Sequence, residues 1–243
     1  MEKEFSIEEL KGLDCYLGID LSGTRDLSSA AAYFPEVKKL FVRSWVPADT
    51  LDEKTIADRV PYRTWVEQKH LETTPGKTIR YSFIAQALVE MNDMFNVLGI
   101  AFDEYRIKYL EQELHDIGVV DLPLVKHPQG FRRSAKVPEK DIKQGKEDLQ
   151  LWMPQSVNNF ESLIVDEEII IKKNPVVAWA ASCTVLEADA QGNRKFAKHK
   201  STGRIDPMVA AAEAIGLATE KFVPRGNIDD FINKPIIDRK SVV

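Results

Sequence analysis

The first part of the chain contains short stretches in which apolar side chains occupy alternate positions. Residues 15–21 read CYLGIDL, and this period of two predicts a β-strand with Leu17 on one face and Asp20 on the other. Residues 27–34 and 40–46 follow as two further strands, so we expect an antiparallel three-strand meander. A carboxylate inside a buried strand is costly unless it is paired, hydrogen-bonded or bound to a metal. Asp20 therefore needs a partner.

After residue 50 the apolar period becomes helical. Helices are predicted over residues 51–59, 61–68 and 79–96. A strand over 98–102, a helix over 104–117 and a strand over 122–126 come next. This order predicts a βαβ unit, whose two strands run parallel.

The last third of the chain mixes helices with a hairpin. Further helices are predicted over residues 154–164, 175–182 and 206–222, and strands over 169–172, 184–188 and 195–198. The last two strands flank Asp189-Ala-Gln-Gly-Asn193, a turn sequence typical of a hairpin. With no internal repeat, we expect one α/β domain over 15–222, a linker-like segment over 1–14 and a polar tail over 223–243.

Composition indicates a globular protein rather than a disordered or membrane protein. The chain has 243 residues, of which 44% are hydrophobic and 29% charged. It lacks an apolar run near the ~18 residues of a membrane span, and its charged N-terminus is unlike a secretory signal. Cys15 and Cys183 lie in apolar runs, which favours buried free thiols over a disulfide.

Basic residues are clustered although the net charge is −5. One basic stretch spans residues 132–146 and the other spans 194–204. A charge run is most often a solvated face, but both stretches could also line a groove for phosphates. The overall negative charge by itself argues against a nucleic-acid binder, so this choice stays open.

Three aspartates stand at positions where chemistry is possible. Asp20 and Asp103 close apolar strands, and Asp206 precedes Pro207 at the start of an alanine-rich helix. Taken singly, each has a local explanation: a turn residue for Asp20 and helix N-caps for the other two.

Taken together, the three acids predict a metal site. The strands that end at Asp20 and Asp103 become neighbours in a βββαβ arrangement, so their carboxyl ends open on one edge of the sheet. Three carboxylates at one edge repel each other, and hard divalent cations such as Mg²⁺ bind oxygen ligands of this kind. Two such ions could support phosphodiester hydrolysis.

Two segments of the sequence resemble nucleotide-binding motifs, which would indicate a different function. GIDLSGT resembles the first phosphate loop of actin-like ATPases and sugar kinases, but the second phosphate hairpin and the duplicated domain of that superfamily are missing. Pro75-Gly-Lys-Thr78 ends like a P-loop, but Leu71 stands where the first glycine is required. We therefore favour a turn before the helix.

Several ordered segments over residues 15–222 resemble the C-terminal nuclease domain of tailed-bacteriophage large terminase subunits. The resemblance rests on GIDLSGTRDLSS, PGKTIRYSFI, GIAFDEYR, QGFRRSAKVPEKDI, KNPVVAWAASCTVLEADAQGN and KHKSTGRIDPMVAAAEAIG. It implies an α/β, RNase H-like fold: a mixed central sheet, with an antiparallel three-strand meander plus parallel strands, flanked by helices and carrying an added β-hairpin. One departure is Lys172-Lys173 before Asn174-Pro175, where family members often carry a histidine.

The resemblance also implies an activity and its residues. It makes Asp20, Asp103 and Asp206 the metal-binding acids of an endonuclease that cuts concatemeric viral DNA during genome packaging, with two Mg²⁺ or Mn²⁺ ions, and makes Lys200 a catalytic contact to the scissile phosphate. In that hypothesis Asp20 bridges both ions. Six basic residues would bind duplex phosphates with little sequence choice: Arg132, Arg133, Lys136, Lys195, Lys198 and Arg204.

The resemblance also implies binding partners and a cellular location, and other functions remain as alternatives. The implied partners are double-stranded DNA, an ATPase motor domain, the small terminase subunit and the portal, in the cytoplasm of an infected bacterium. Membrane attachment is not expected, nor is ATP hydrolysis by this chain. Glu213 lies two turns after Asp206, and we favour a solvent-facing position for it over a further acid of the site. The rival functions are a non-catalytic DNA clamp and another RNase H-like nuclease of the junction resolvase or integrase type.

Overall fold

The computed structural model describes residues 2–23, 27–119, 121–134 and 150–221. Ten strands occur in these ranges: β1 Glu2–Lys3, β2 Asp14–Asp20, β3 Ser28–Phe34, β4 Lys39–Pro47, β5 Glu72–Thr74, β6 Asn96–Phe102, β7 Leu124–Lys126, β8 Ile170–Lys172, β9 Leu186–Ala188 and β10 Arg194–Phe196. The α-helices there are α1 Leu51–Asp58, α2 Tyr62–Glu67, α3 Tyr81–Met94, α4 Ile107–Asp116, α5 Met153–Val165, α6 Pro175–Cys183 and α7 Asp206–Lys221. Most predicted elements are confirmed, with boundaries shifted by up to three residues.

The central sheet is mixed. In the described ranges its strand order is β1-β8-β4-β3-β2-β6-β7. Strand β8 pairs with the beginning of β4, and β5 pairs with the end of β4 along the same edge. The pairs β2–β3 and β3–β4 are antiparallel, so the predicted meander is confirmed. The pairs β2–β6 and β6–β7 are parallel, as the βαβ order predicts.

Helices cover both faces of this sheet. Successive side chains of β2 point alternately to the helices on one face and to those on the other. Leu17 and Ile19 pack in the cluster that includes α3 and α4, whereas Tyr16 packs in the cluster that includes α5, α6 and α7. The side of Tyr16 is also the side of Gly18 and Asp20 because successive side chains of a strand point to opposite faces. Asp20 therefore projects toward the helical layer that contains α7.

The predicted hairpin is present and separate from the central sheet. Strands β9 and β10 form an antiparallel pair. In the turn between β9 and β10, Asp189 Oδ1 accepts hydrogen bonds of 2.9 Å from the backbone N–H groups of Gln191 and Asn193. Asp and Asn favour such turns because their side chains satisfy nearby backbone groups.

The N-terminal segment differs from its predicted linker-like character. Strand β1 pairs with β8, and a short 3-10 helix over Ile7–Leu10 follows a capping box at Ser6 and Glu9. Leu10 is buried in the hydrophobic core, and removing its apolar side chain from water stabilises the packing of this segment. The predicted tail over 223–243 lies outside the described residues.

The cysteines and the helices agree with the sequence in two further respects. Cys15 and Cys183 are both buried and free, as predicted. Within the described ranges, none of the helices combines the length and the apolar character needed to cross a lipid bilayer.

Candidate metal and nuclease site

Two of the predicted acids leave the central sheet side by side. Asp20 is the last residue of β2, and Asp103 directly follows β6. The parallel register pairs Ile19 with Phe102, so the next residues of both strands stand at the same level of the sheet edge. Asp103 also accepts hydrogen bonds from the backbone N–H groups of Tyr105 and Glu104, which orient its carboxylate as the chain turns away from the sheet.

Helix α7 brings the third acid to the same edge. It begins at Asp206 and lies directly on β2, where the backbone of Gly18 meets the helix. A Cβ atom at Gly18 would be 2.1 Å from the carbonyl oxygen of Ala210, a distance at which atoms overlap. Only glycine allows this approach, which seats the first turns of α7 against the end of β2.

The three acids line one cavity. Its volume is about 540 Å³, and its lining is Asp20, Leu21, Ser22, Gly23, Asp103, Tyr105, Arg106, Gln129, Lys198 and Asp206. Asp20 and Asp206 are buried, with 4% and 2% of their surface exposed. The structure thus brings together the three acids singled out in the sequence.

Lys198 reaches into the acid cluster from the segment after β10. Its Nζ atom lies 2.5 Å from Oδ2 of Asp20 and 3.5 Å from Oδ1 of Asp206. Burial disfavours the charged ammonium, but attraction to these two carboxylates outweighs it, so the pKa of Lys198 lies above its usual value. Lys198 is therefore a partly exposed cation that two buried acids share, rather than a basic surface residue without a carboxylate partner.

Glu213 is a fourth acid at the site and is fully buried, so the predicted solvent-facing position was wrong. Gln129 Nε2 donates to Oε1 of Glu213 at 3.1 Å and approaches Oδ1 of Asp20 at 3.3 Å. The other carboxyl oxygen, Oε2 of Glu213, is buried and lacks a hydrogen-bond partner among the residues that the structure describes. A buried carboxyl oxygen without a partner, beside three other acids, is a place where a proton or a cation would be stabilised.

Burial and mutual repulsion shift two of the acids. Burial, followed by the negative charge of Asp20, raises the pKa of Glu213 well above its usual value. Burial is also the main cause of a raised pKa at Asp103, with Asp20 adding to it. Both shifts have the direction expected where several carboxylates share one low-dielectric cavity, and such perturbation is frequent at functional sites.

The segment that carries Gln129 is anchored by a buried histidine. His127 Nε2 lies 2.8 Å from Oγ of Ser156, and Nδ1 lies 3.2 Å from the carbonyl oxygen of Pro128. Burial lowers the pKa of His127 to about 4, so the ring is neutral at physiological pH. The sequence offers a weak signal for this role, since His127 follows a predicted strand and precedes a proline.

Other basic residues of the 194–204 stretch are bound to carboxylates away from the acids. Lys195 and Lys200 both contact Glu187, at 3.0 and 2.9 Å, and hydrogen bonds from these lysines lower the pKa of Glu187 to about 2. Arg204 contacts Asp58 through Nε and Nη2, each at 3.1 Å. The catalytic role of Lys200 and the DNA-binding roles of Lys195 and Arg204 stay predictions, but none of the three lines the cavity.

The other basic stretch is described only in part. Arg132 and Arg133 are exposed, and the guanidinium carbon of Arg133 lies 4.6 Å from the ring centre of Trp152. Lys136 and the rest of 135–149 fall outside the described residues. The predicted DNA-binding role of this stretch is untested.

Comparison with known proteins places this geometry in a family. The large terminase subunit of Enterobacteria phage HK97 is 36% identical over 225 residues, which cover 91% of this chain and 41% of that protein. Protein YmfN of Escherichia coli strain K12 is 24% identical over 233 residues, or 89% of this chain and 46% of YmfN. The chain therefore spans less than half the length of these curated relatives.

The structural comparison agrees. The crystal structure of the HK97 bacteriophage large terminase matches 88% of this chain and 41% of its own, with a TM-score of 0.72 and 35% sequence identity. The predicted RNase H-like mixed sheet with flanking helices and an added hairpin is thereby confirmed. The family "Terminase large subunit, endonuclease domain" matches residues 3–221. This chain is a member of that family of terminase endonuclease domains.

Proposed function

We propose that this chain is a metal-dependent DNA endonuclease that cuts concatemeric phage DNA during genome packaging, with little sequence specificity. The observation that carries the proposal is the convergence of Asp20, Asp103 and Asp206 on one cavity at the end of two parallel strands. Residues from three distant parts of the chain meet there, and packing alone gives no reason for buried acids to gather.

The side chains of the cavity suit hard divalent cations. The available ligands are carboxylate oxygens, which Mg²⁺ and Mn²⁺ prefer, and Oε2 of Glu213 still lacks a partner among the described residues. As the side chains stand, no three acid, histidine or cysteine residues within the described ranges form a ready metal cage. The Lys198 ammonium occupies the space between Asp20 and Asp206, so metal binding requires Lys198 to give up these contacts.

Asp20, Asp103 and Asp206 would hold two metal ions through their carboxylate oxygens. Bound ions of this kind acidify a water nucleophile and stabilise the leaving oxygen of a phosphodiester. Gln129 fixes the orientation of Asp20 through a hydrogen bond, and the turn after β6 does the same for Asp103. Lys198, once released, is a cation beside the reacting phosphate.

DNA binding is proposed to use phosphate contacts rather than base recognition. Arg132 and Arg133 are exposed and available for duplex phosphates. Lys195, Lys200 and Arg204 hold carboxylates in the structure, so their use on DNA would require them to exchange Glu187 or Asp58 for phosphate. We expect the affinity to fall steeply with salt.

The proposed partners follow from the relatives. Since the chain spans 41% of the HK97 large subunit, the packaging activity of a whole terminase is proposed here only through association with an ATPase motor domain, a small terminase subunit and a portal. The proposed setting is the cytoplasm of an infected bacterium.

The experiment is cleavage of a supercoiled plasmid in Mn²⁺ by the wild-type chain, Asp20→Asn and Asp103→Asn. Both variants should lose cutting by on the order of 1,000-fold, because each loses a carboxylate ligand. Asp52→Asn is the matched control, since Asp52 is an exposed aspartate paired with Arg63. It should cut at the wild-type rate.

Thermal denaturation with and without Mn²⁺ separates the rival functions. A metal-binding nuclease gains stability from Mn²⁺, and Asp20→Asn loses that gain, whereas a DNA clamp gains none. Branched and linear substrates then distinguish a junction resolvase from a terminase. Wild-type cutting by Asp20→Asn would contradict the proposal.

A further inference from the structure

Arg106 lines the acid cavity and is held in an unusual backbone conformation. It lies three residues after Asp103 and precedes α4, with a φ of 64°. This left-handed conformation is uncommon for a residue with a side chain and costs on the order of 1 kcal/mol. The fold therefore keeps Arg106 directed at the cavity despite a local conformational cost.

Two tyrosines fix the guanidinium. The hydroxyl of Tyr81 donates to the carbonyl oxygen of Ser22 at 2.7 Å, so its lone pairs remain to accept a hydrogen bond from Arg106. The guanidinium carbon also lies 5.0 Å from the ring centre of Tyr105. A Cβ atom at Gly23 would come within 2.6 Å of that carbon, so the absence of a side chain at Gly23 makes room for it.

Arg106 differs from Lys198, the other cation of the cavity lining, in what it contacts. Lys198 contacts two carboxylates, whereas Arg106 donates hydrogen bonds to the hydroxyls of Tyr81 and Tyr105 and lies over the ring of Tyr105. Nε of Arg106 also lacks a hydrogen-bond partner among the described residues. The guanidinium thus keeps both positive charge and donor capacity, and its planar fork matches two phosphate oxygens.

We propose that Arg106 binds the phosphate that is cut, with Tyr81 and Tyr105 positioning it. This inference rests on the nuclease function proposed above. In the hydrolysis a water oxygen bonds to phosphorus and the bond from phosphorus to the 3′-oxygen breaks. The water loses one proton to solvent, and the leaving oxygen takes one up. Arg106 donates hydrogen bonds to the non-bridging oxygens, on which negative charge accumulates in the transition state.

The test compares Arg106→Met, Arg106→Lys and the control Arg63→Met. Arg63 is an exposed arginine paired with Asp52 outside the cavity. Cleavage rates are measured at saturating DNA, and each variant is melted with and without Mn²⁺ to report on metal binding and on folding.

We expect Arg106→Met to cut about 100-fold more slowly at saturating DNA, Arg106→Lys to keep an intermediate rate, and Arg63→Met to match the wild type. The Mn²⁺ stabilisation of all three should equal that of the wild type. Cutting by Arg106→Met within threefold of the wild type would overturn the proposal. So would loss of its Mn²⁺ stabilisation, since Arg106 would then only support the metal site. A wild-type chain that does not cut would contradict the nuclease function itself, and the role of Arg106 with it.

Discussion

Two aspartates with largely covered side chains, Asp58 and Asp20, contact basic residues from the same stretch of chain, with different results. Asp58 faces Arg204, which contacts both carboxylate oxygens, and the hydroxyl of Tyr62 donates a further hydrogen bond of 2.8 Å. Asp20 shares Lys198 with Asp206. Asp58 thus accepts three hydrogen bonds, two of them from one arginine, whereas Asp20 and Asp206 share the single ammonium of Lys198.

The difference separates an acid whose hydrogen bonds are satisfied within the protein from the acids that we propose to bind metal. A carboxylate with a bidentate arginine and a further donor is fully satisfied, and it holds α1 and the segment before α7 together. In the cavity one ammonium is shared by two acids, and Oε2 of Glu213 is buried without a hydrogen-bond partner among the described residues, so a proton or a further cation would stabilise this cluster. Burial does not separate the two regions, since 9% of the Asp58 side chain and 5% of the Asp20 side chain are exposed; they differ in how many acids share one basic side chain.

The largest effects are expected when one aspartate of the cavity and the aspartate paired with Arg204 are each replaced by asparagine. Asp206→Asn should reduce Mn²⁺-dependent cutting by on the order of 1,000-fold and leave a folded chain, because a cavity acid is replaced by a neutral isostere. Asp58→Asn should keep the cutting rate at 25 °C but lose about 3 kcal/mol of unfolding free energy, because Arg204 loses its charge partner. Paired cleavage and denaturation measurements check both. The comparison fails if the two variants behave alike.

A smaller effect is expected when the shared cation is removed. Lys198→Met leaves Asp20 and Asp206 without an ammonium, so the melting temperature in EDTA should fall by about 5 °C. Millimolar Mn²⁺ should restore most of this loss, and the Mn²⁺-induced shift should exceed that of the wild type because the metal no longer competes with Lys198.

Lys195→Met provides the control for that measurement. Lys195 pairs with Glu187 on the hairpin, outside the cavity lining. Its loss should change the melting temperature little, as is usual for a pair near the surface, and leave the Mn²⁺ shift unchanged. An equal Mn²⁺ shift in Lys198→Met and the wild type would show that Lys198 and the metal do not compete.

The smallest effect concerns the pH dependence of stability. The pKa of Glu213 is higher in the folded than in the unfolded state. Between these two pKa values the folded chain therefore binds more protons than the unfolded chain. The free energy of unfolding falls as the pH rises from the lower pKa to the higher one. Glu213→Gln removes this titration and should be more stable than the wild type at pH 8, with a flatter profile between pH 5 and 8. Glu220→Gln, an exposed glutamate of the same helix, should follow the wild type in urea denaturation across this range.

The strands and the three aspartates could be predicted from sequence because each depends on local patterns. Alternating apolar residues define β2, and an apolar run defines β6; Asp-Pro marks the start of α7. The parallel pairing of the first strand with the strand before Asp103 followed from the βββαβ order. These features required no knowledge of side-chain contacts.

The roles of Lys198 and Glu213 could not be reached in the same way. The sequence shows Lys198 within a run of basic residues, and only the folded chain reveals that it contacts two acids while Lys200 contacts Glu187. Glu213 did carry a signal: apolar residues surround it on every face of α7 from Met208 to Ala218. A helix that is apolar all round is buried, so its lone acid is buried too.

The contact between Gly18 and α7 has a consequence for how cutting competence arises. Asp20 and Asp103 both precede residue 104, but Asp206 is carried by the last helix of the described chain, and that helix packs directly on the backbone of Gly18. A nascent chain that has not yet emerged beyond residue 206 therefore has a sheet edge without a complete site. Under the proposed endonuclease function, a partly synthesised chain therefore does not cut DNA until α7 has been made and has packed on β2.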